Sequence, residues 1–321
     1  MRELQYDAVK GGAILLVVFG HVWLGLADAG LIGSARLAQT VEHAIYLFHM
    51  PVFFFVSGLF FAPKQGPLAF LRGKALTLLW PLLLWSWVEG ALLAVSGQGA
   101  DRGIVGLMDV LSYPVPVKSV FWFLWVLFVL QVASYAVMRL AGRWHPAVLL
   151  VAGLAAIAVF VLGVDAGAAV IIVENAPYFL AGVLLALLRN ELVRPDPLPF
   201  VVGLAIFLLA EVVHLRDGAG AGWFQLSALL ATLGFVSTMG RTANTVVGRA
   251  LAWLGKRTMA IYLMHIILTA GTRVMLLKLG YTGLGLHAVA GTIMGVAVPL
   301  AVDAVVQRLR LGRLAGFGQR A

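Results

Sequence analysis

The chain has 321 residues, of which 62% are hydrophobic and only 12% charged, with a mean hydropathy of +0.98 and a formal net charge of +9. A soluble domain carries about 25% charged residues, so this chain has too little polar surface to cover a water-borne globule, and lipid is its natural solvent. It contains no cysteine, which excludes disulfides, thiolate zinc sites and cysteine nucleophiles.

In chain order, ten apolar segments of spanning length are expected at about 11–31, 44–62, 75–95, 119–138, 147–164, 168–188, 198–214, 222–239, 258–277 and 284–306. Each suits the roughly 17–25 residues that a membrane-crossing helix needs. Prolines punctuate the joints, at Pro63 and Pro67, Pro114 and Pro116, Pro146, and Pro195, Pro197 and Pro199. The longest polar stretch, Ser96 to Lys118, is a modest loop. The fold class is therefore all-α, a polytopic bundle of about ten transmembrane helices. One integral-membrane domain covers residues 1–321, with no fused soluble domain. Residues 1–29 end in Ala27-Asp28-Ala29, which has the form of a cleavage site. Glu3 and Asp7 beside the early cations and His21 within the apolar core argue for a retained first span instead.

The cations fix the expected orientation. With the N-terminus inside and loops taken alternately, only Arg36, Arg102, Lys118, Arg216, Arg273 and Lys278 of the 23 Lys and Arg fall outside. The remainder fall inside, which predicts cytoplasmic N- and C-termini by the positive-inside rule. The basic balance thus reads as topology, and no nucleic-acid partner is expected.

Ionisable groups inside a bilayer are costly and mark function by default. The candidates are His21, His49, Glu89, Glu174, Glu211 and His265, with Glu42 and His43 nearer the outer edge. Lys10 and His21 stand eleven positions apart in KGGAILLVVFGH. On a helix that spacing is three turns, which keeps both on nearly one face and about 16 Å apart along the axis. Gly11, Gly12, Ala13 and Gly20 would admit a second helix or a ligand close to the backbone. His49 should lie at a depth similar to that of His21 on the following span. There is no GxxxxGK[ST] loop, GxSxG elbow or HExxH motif, so an ATP site, a serine triad and a metal site have no sequence support. No metal is expected. Two readings of the buried groups remain. One is a histidine enzyme fed from a cationic cytoplasmic side. The other is a proton-coupled transporter in which His21, His49, Glu174 and His265 form a relay.

Six blocks, in order, carry a resemblance to a known family. They are YDAVKGGAILLVVFGH (Tyr6–His21), FHMPVFFFVSGLFF (Phe48–Phe61), FLRGKALTLLWP (Phe70–Pro81), FWFLWVLFV (Phe121–Val129), PYFLAGVLLA (Pro177–Ala186) and WLGKRTMAIYLMHI (Trp253–Ile266). The chain resembles the acyltransferase 3 family of integral-membrane acyltransferases, which modify hydroxyl groups of bacterial sugars, glycans and some antibiotics. Many members carry Arg where this chain has Lys10, and lysine keeps the charge without the planar fork.

The resemblance implies a multi-pass protein of the bacterial inner (plasma) membrane that moves an acyl group, usually acetyl. The donor would be cytoplasmic acyl-CoA, and the acceptor a hydroxyl of a sugar, glycan or glycolipid arriving from the other side. His21 would be the catalytic base and Lys10 its electrostatic partner at the donor end. Arg72, Lys74, Lys256 and Arg257 would hold the donor phosphates. Ser57, with Phe53, Phe54 and Phe55, would line the thioester path, and His49, Glu174 and His265 would contact substrate or support His21. Direct general-base transfer and a covalent acyl-histidine both fit this reading.

Overall fold

The computed structural model describes residues 2–96, 104, 106–115, 119–191, 199–217 and 221–318. Of the cations counted above, Arg102, Lys118, Arg194 and Arg320 lie outside these ranges. The described residues are helical throughout, with no strand among them. In chain order the helices are α1 (Arg2–Asp28), α2 (Ala35–Tyr46), α3 (His49–Leu59), α4 (Pro67–Lys74), α5 (Trp80–Ser96), α6 (Leu107–Ser112) and α7 (Trp122–Leu140). They continue with α8 (His145–Val161), α9 (Val170–Glu191), α10 (Phe200–Asp217), α11 (Ala221–Thr242), α12 (Val246–Gly255), α13 (Thr258–Lys278) and α14 (Leu284–Arg308). Local signals set several starts. Ser34 caps α2 by accepting the Leu37 N–H at 3.3 Å, and Thr245 caps α12 by accepting that of Gly248 at 3.0 Å. Pro67 opens α4 and Pro146 lies in the first turn of α8, where a missing N–H costs nothing.

Among the described residues, nine helical runs are long and apolar enough to cross a membrane. Two of them differ from the sequence expectation. The second span begins at Ala35 and runs to Leu59 as two helices, α2 and α3, broken at Leu47 and Phe48. The third is a continuous run, Pro67–Ser96, in which a π-helical turn, Ala75–Leu79, joins α4 to α5. The segment expected at 198–214 is helix α10, but its 18 residues include Glu211, Arg216 and Asp217, a charge load that sets it apart from the nine. It nevertheless lies antiparallel along α11 for its whole length. Gly203 faces Ser237 and Thr238, Gly234 faces the Phe207 backbone, and the His214 ring sits 5.6 Å from that of Phe224. Since α11 is a spanning helix, α10 traverses the same thickness.

The break in the second span lies inside the protein, with Leu47 1% and Phe48 4% exposed, as irregular backbone at membrane depth requires. His49 opens α3, and its Nδ1 lies 2.7 Å from the Ile45 carbonyl, the acceptor that the residue-49 N–H would use in an unbroken helix. The imidazole thus satisfies a backbone group freed by the break.

α1 is the central helix, packed against α2, α3, α11, α12, α13 and α14. Its neighbours come close because small residues occupy the crossings, the usual route to tight packing where lipid supplies no hydrophobic drive. A Cβ on Gly11 would overlap the Leu251 carbonyl, and one on Gly255 the Asp7 carbonyl, so α1 and α12 touch backbone to backbone. Gly58 and Gly182 do the same reciprocally for α3 and α9, each facing a carbonyl of the partner helix, Phe179 and Phe55 respectively. Around that crossing Phe54 and Phe55 are 0% and 2% exposed, and Phe54 meets Phe123 edge-on at 5.0 Å or less between centroids (4.7 Å). We predict that Gly58→Ala and Gly182→Ala each destabilise the protein by about 1–3 kcal/mol, the usual cost of overpacking. Gly285→Ala, whose new Cβ would meet nothing within 4 Å, should leave stability within about 0.5 kcal/mol. Thermal denaturation of detergent-solubilised protein, followed by size-exclusion chromatography, measures both.

Candidate functional site

α1 carries Lys10 and His21 on one uninterrupted helix, so the register read from the spacing is the register of the structure. His21 is half-buried, and three side chains from two other spans stand around it. The His265 ring from α13 lies 5.0 Å away between centroids, and the Tyr46 ring from the end of α2 lies 6.1 Å away. Tyr46 in turn meets His49 edge-on at 4.6 Å. His265 is fully buried, and its Nδ1 lies 2.6 Å from the Tyr262 carbonyl and 3.2 Å from that of Ile261. A carbonyl only accepts, so this nitrogen carries the proton, and Nε2 is left as a buried acceptor that meets no partner among the described residues. The same reasoning places the proton of neutral His49 on Nδ1. Two histidines thus frame His21, each tied to a backbone carbonyl through Nδ1, His265 to its own helix and His49 to the end of α2.

His21 borders two cavities. One, of about 470 Å³, is lined by His21, His43, Tyr46, His49, Glu174, Asn175, Tyr178 and His214, with Trp122, Phe224 and Tyr262 as aromatic walls. Here the hydroxyls of Tyr46 and Tyr178 and the Nδ1 of His214 are buried without partners among the described residues. Such groups are costly unless something fills the space. The other cavity, of about 460 Å³, extends from His21 along α1 to Asp28 between α5, α13 and α14. A third, narrow slot of about 60 Å³ is lined by Ile14, Met50, Phe53, Phe123, Leu124, Thr258, Met259 and Tyr262. Met50 and Tyr262 also line the first cavity, and Thr258 follows directly on Lys256 and Arg257. The slot therefore lies between the corner of α12 and α13 and the first cavity, sharing the Met50 and Tyr262 walls with the latter.

The other expected residues are distributed as follows. His49 and Glu174 share the first cavity with His21, and the His265 ring lies 5.0 Å from that of His21. Lys10 is ion-paired, with its Nζ 2.7 Å from the Asp7 carboxylate. Lys256 is exposed and Arg257 half-buried at the end of α12, which the Gly255–Asp7 contact presses onto the same turns of α1. The Arg257 guanidinium lies 3.9 Å over the Trp253 ring and donates to the Trp253 carbonyl at 2.8 Å. Arg72 is exposed, while Lys74 stands 5.6 Å over the Phe70 ring, itself stacked on Tyr135 at 4.2 Å. No described hydrogen bond or ion pair joins this pair to Lys10. Ser57 is half-buried on α3 and lines none of the three cavities, although its neighbour Phe53 lines the slot.

Several site residues escaped the sequence reading. Asp7 was legible, since it stands three positions before Lys10 on a helix, the spacing at which opposite charges meet. Tyr46 and Tyr178 carry no such signal, because tyrosines in apolar helices are commonly packing residues. His214 gave no local signal; its ring meets that of His43, already a candidate from the sequence, at 5.9 Å between centroids, from a helix more than 150 positions distant. Among the described residues no group of three or more His, Asp or Glu has a metal-binding arrangement.

The sequence model of the acyltransferase 3 family, described as an acyltransferase domain, matches residues 3–304. Among curated proteins, the chain is similar to nodulation protein NolL of Sinorhizobium fredii (strain NBRC 101917 / NGR234). The two are 33% identical over 153 residues, covering 44% of this chain and 39% of that protein. It is also similar to nodulation protein NolL of Mesorhizobium japonicum (strain LMG 29417 / CECT 9101 / MAFF 303099). There the identity is 26% over 189 residues, covering 58% of this chain and 48% of the relative. The chain therefore spans less than half the length of these curated relatives. No solved structure matches it. With the match running through nearly every helix described above, the chain belongs to the acyltransferase 3 family, as a multi-pass membrane protein.

Proposed function

We propose that this protein is a membrane O-acyltransferase of the bacterial inner membrane. It moves an acyl group, chiefly acetyl, from cytoplasmic acyl-CoA to a hydroxyl of a sugar, glycan or glycolipid on the opposite side. The observation that carries the reading is the apolar slot that lies between the Lys256–Arg257 corner and the cavity beside His21 and shares two walls with that cavity. A chain-like donor anchored by its phosphates at the cationic end reaches the histidine only through a passage of this kind. In this reading Arg72, Lys74, Lys256, Arg257 and Lys10 face the donor's anionic half. Asp7 holds Lys10 in place, and the slot, widened by movement of its side chains, marks the path of the donor's extended arm.

The chemistry follows from the imidazole arrangement. The unprotonated nitrogen of His21 takes the proton of the acceptor hydroxyl as its oxygen attacks the thioester carbonyl. The tetrahedral adduct collapses by breaking the carbon–sulfur bond, and the leaving thiolate takes the proton back from His21. His265 acts as a positioning residue. Its unpartnered Nε2, in a ring 5.0 Å from that of His21, is the acceptor toward which the remaining N–H of His21 would turn during the reaction, selecting the tautomer whose free nitrogen faces the hydroxyl. Tyr46, Tyr178, His49, Glu174 and Asn175 hold further acceptor hydroxyls. A proton-coupled transporter built on the same groups needs no donor, so acyl-CoA turnover by purified protein separates the two functions.

Three measurements test this reading. His21→Ala should lower acyl transfer by at least about a hundredfold, since a positioned general base contributes roughly 10²–10⁴. Its thermal stability and CoA affinity should stay close to native; a folded His21→Ala protein that acylates at the native rate removes the histidine from the mechanism. In the same assay Lys10→Arg should retain activity, and Lys10→Ala should lose donor affinity. The joint Arg72→Ala and Lys74→Ala variant should bind CoA about ten- to a hundredfold more weakly, the scale of one or two charge-assisted hydrogen bonds. Isothermal titration that finds unchanged affinity would reduce both residues to topology signals. Finally, the proposed cytoplasmic termini require a cysteine at Ser112 to react with an impermeant thiol reagent from outside, and one at Gln65 to stay protected. The chain has no native cysteine to interfere.

A further inference from the structure

The second cavity beside His21 has a wall that the acyl-transfer chemistry leaves unexplained. Arg273 lies on α13, fifteen residues beyond its first residue, or about 22 Å along the axis. An arginine at that depth ordinarily extends toward the interface and leaves its charge in water. Arg273 instead turns across to α1, where its guanidinium occupies the space that a side chain at position 25 would fill. A Cβ on Gly25 would overlap Nη1 and stand 3.0 Å from Cζ. Among the described residues the guanidinium makes no hydrogen bond or ion pair. Arg273 is half-buried, and a cation at membrane depth with no described ion pair is costly, so the notch at Gly25 holds a charge open to a ligand.

Two further features define what that partner is. The same cavity is lined by His287, which is 2% exposed and has its Nε2 2.9 Å from the Tyr281 carbonyl. The proton therefore sits on Nε2, and the buried Nδ1 is an acceptor with no partner among the described residues. Asp28 and Glu89 also stand on the cavity wall. Their oxygens accept hydrogen bonds, so they favour hydroxyl donors away from the guanidinium and restrict an anionic group to the guanidinium itself. Gly25 is one helical turn from His21, so a ligand held at Arg273 presents a hydroxyl to His21 from about one sugar ring away.

We propose that this cavity binds a ligand bearing one anionic oxygen group, a carboxylate or a phosphate, together with hydroxyls. Arg273 takes the anion with its planar fork, and His287 Nδ1 accepts a hydroxyl proton. On the acyltransferase reading, on which this identification rests, the ligand is the acceptor, and Arg273 determines specificity by selecting acidic over neutral glycosides.

The test is direct binding to the full chain in nanodiscs, followed by saturation-transfer NMR or calorimetry. The probes are methyl glucuronoside, methyl glucoside 6-phosphate and neutral methyl glucoside. The wild type should bind at least one of the two acidic probes about tenfold or more tightly than the neutral one, and which of them binds separates a carboxylate ligand from a phosphate ligand. That preference should vanish in Arg273→Gln and be partly kept in Arg273→Lys. Gly25→Ala, which displaces the guanidinium without removing its charge, should weaken acidic-probe binding several-fold, so the prediction does not rest on Arg273→Gln folding. Equal affinity for acidic and neutral probes, no acidic-probe binding, or a preference that survives in both Arg273→Gln and Gly25→Ala overturns the proposal. Acetyl-CoA turnover by the wild type, measured in parallel, reports on acyl transfer alone. Acidic-probe binding without donor turnover keeps the anion site and removes its role as an acceptor site; turnover without that binding removes the site.

Discussion

The close approach of α1 to its neighbours is the constraint on which the rest of the structure depends. A histidine halfway along an apolar helix is tolerable only if protein, not lipid, surrounds it. Gly11 and Gly255 let α12 close on the lower turns of α1, and Gly25 lets the Arg273 side chain close on the upper turns. Between these points α2, α3, α11, α13 and α14 complete the ring, and His21 faces their polar side chains in place of hydrocarbon. The polar residues do not hold the bundle together. The small residues do, and the polar residues occupy the space that this packing leaves.

That division of labour accounts for what the sequence shows and what it hides. Hydropathy locates the spans because each must satisfy its own backbone in lipid, and the Lys10–His21 register follows from helix geometry alone. The break between α2 and α3 is hidden from hydropathy for a physical reason. Residues 44–62 are apolar at most positions, so hydropathy does not mark the break; its sequence sign is Pro51, which removes the N–H that the Leu47 carbonyl would accept and crowds that carbonyl, while the Ile45 carbonyl is satisfied by the His49 ring. The polar residues Glu42 and His43 lower the hydropathy of α2, and His43 lines a cavity. α10 shows the same effect, since its charges near one end lower its hydropathy although it runs beside α11 throughout.

Contacts between distant helices were the least legible. His265 lies 5.0 Å from His21 across 244 positions of sequence, and no local pattern encodes that meeting. Arg273 counts in the sequence only as one of six outward cations, yet its side chain points into the bundle. In each case the residue type announced chemistry and the tertiary packing chose the partner. The framing of His21 by His49 and His265 also rests on backbone carbonyls and not on carboxylates, so the imidazoles are oriented without a fixed negative charge beside them.

The narrow slot limits what can occupy it. Its volume of about 60 Å³ holds on the order of two water molecules at liquid density, about 30 Å³ each. Its lining is almost wholly apolar, with Ile14, Phe53, Phe123 and Leu124 among its walls. Such a constriction cannot carry a hydrated ion. Along this route the polar space beside His21 is set apart from the Lys256–Arg257 corner by apolar side chains, so an occupant of the slot must shed its water, and a chain-like group is admitted there ahead of an ion.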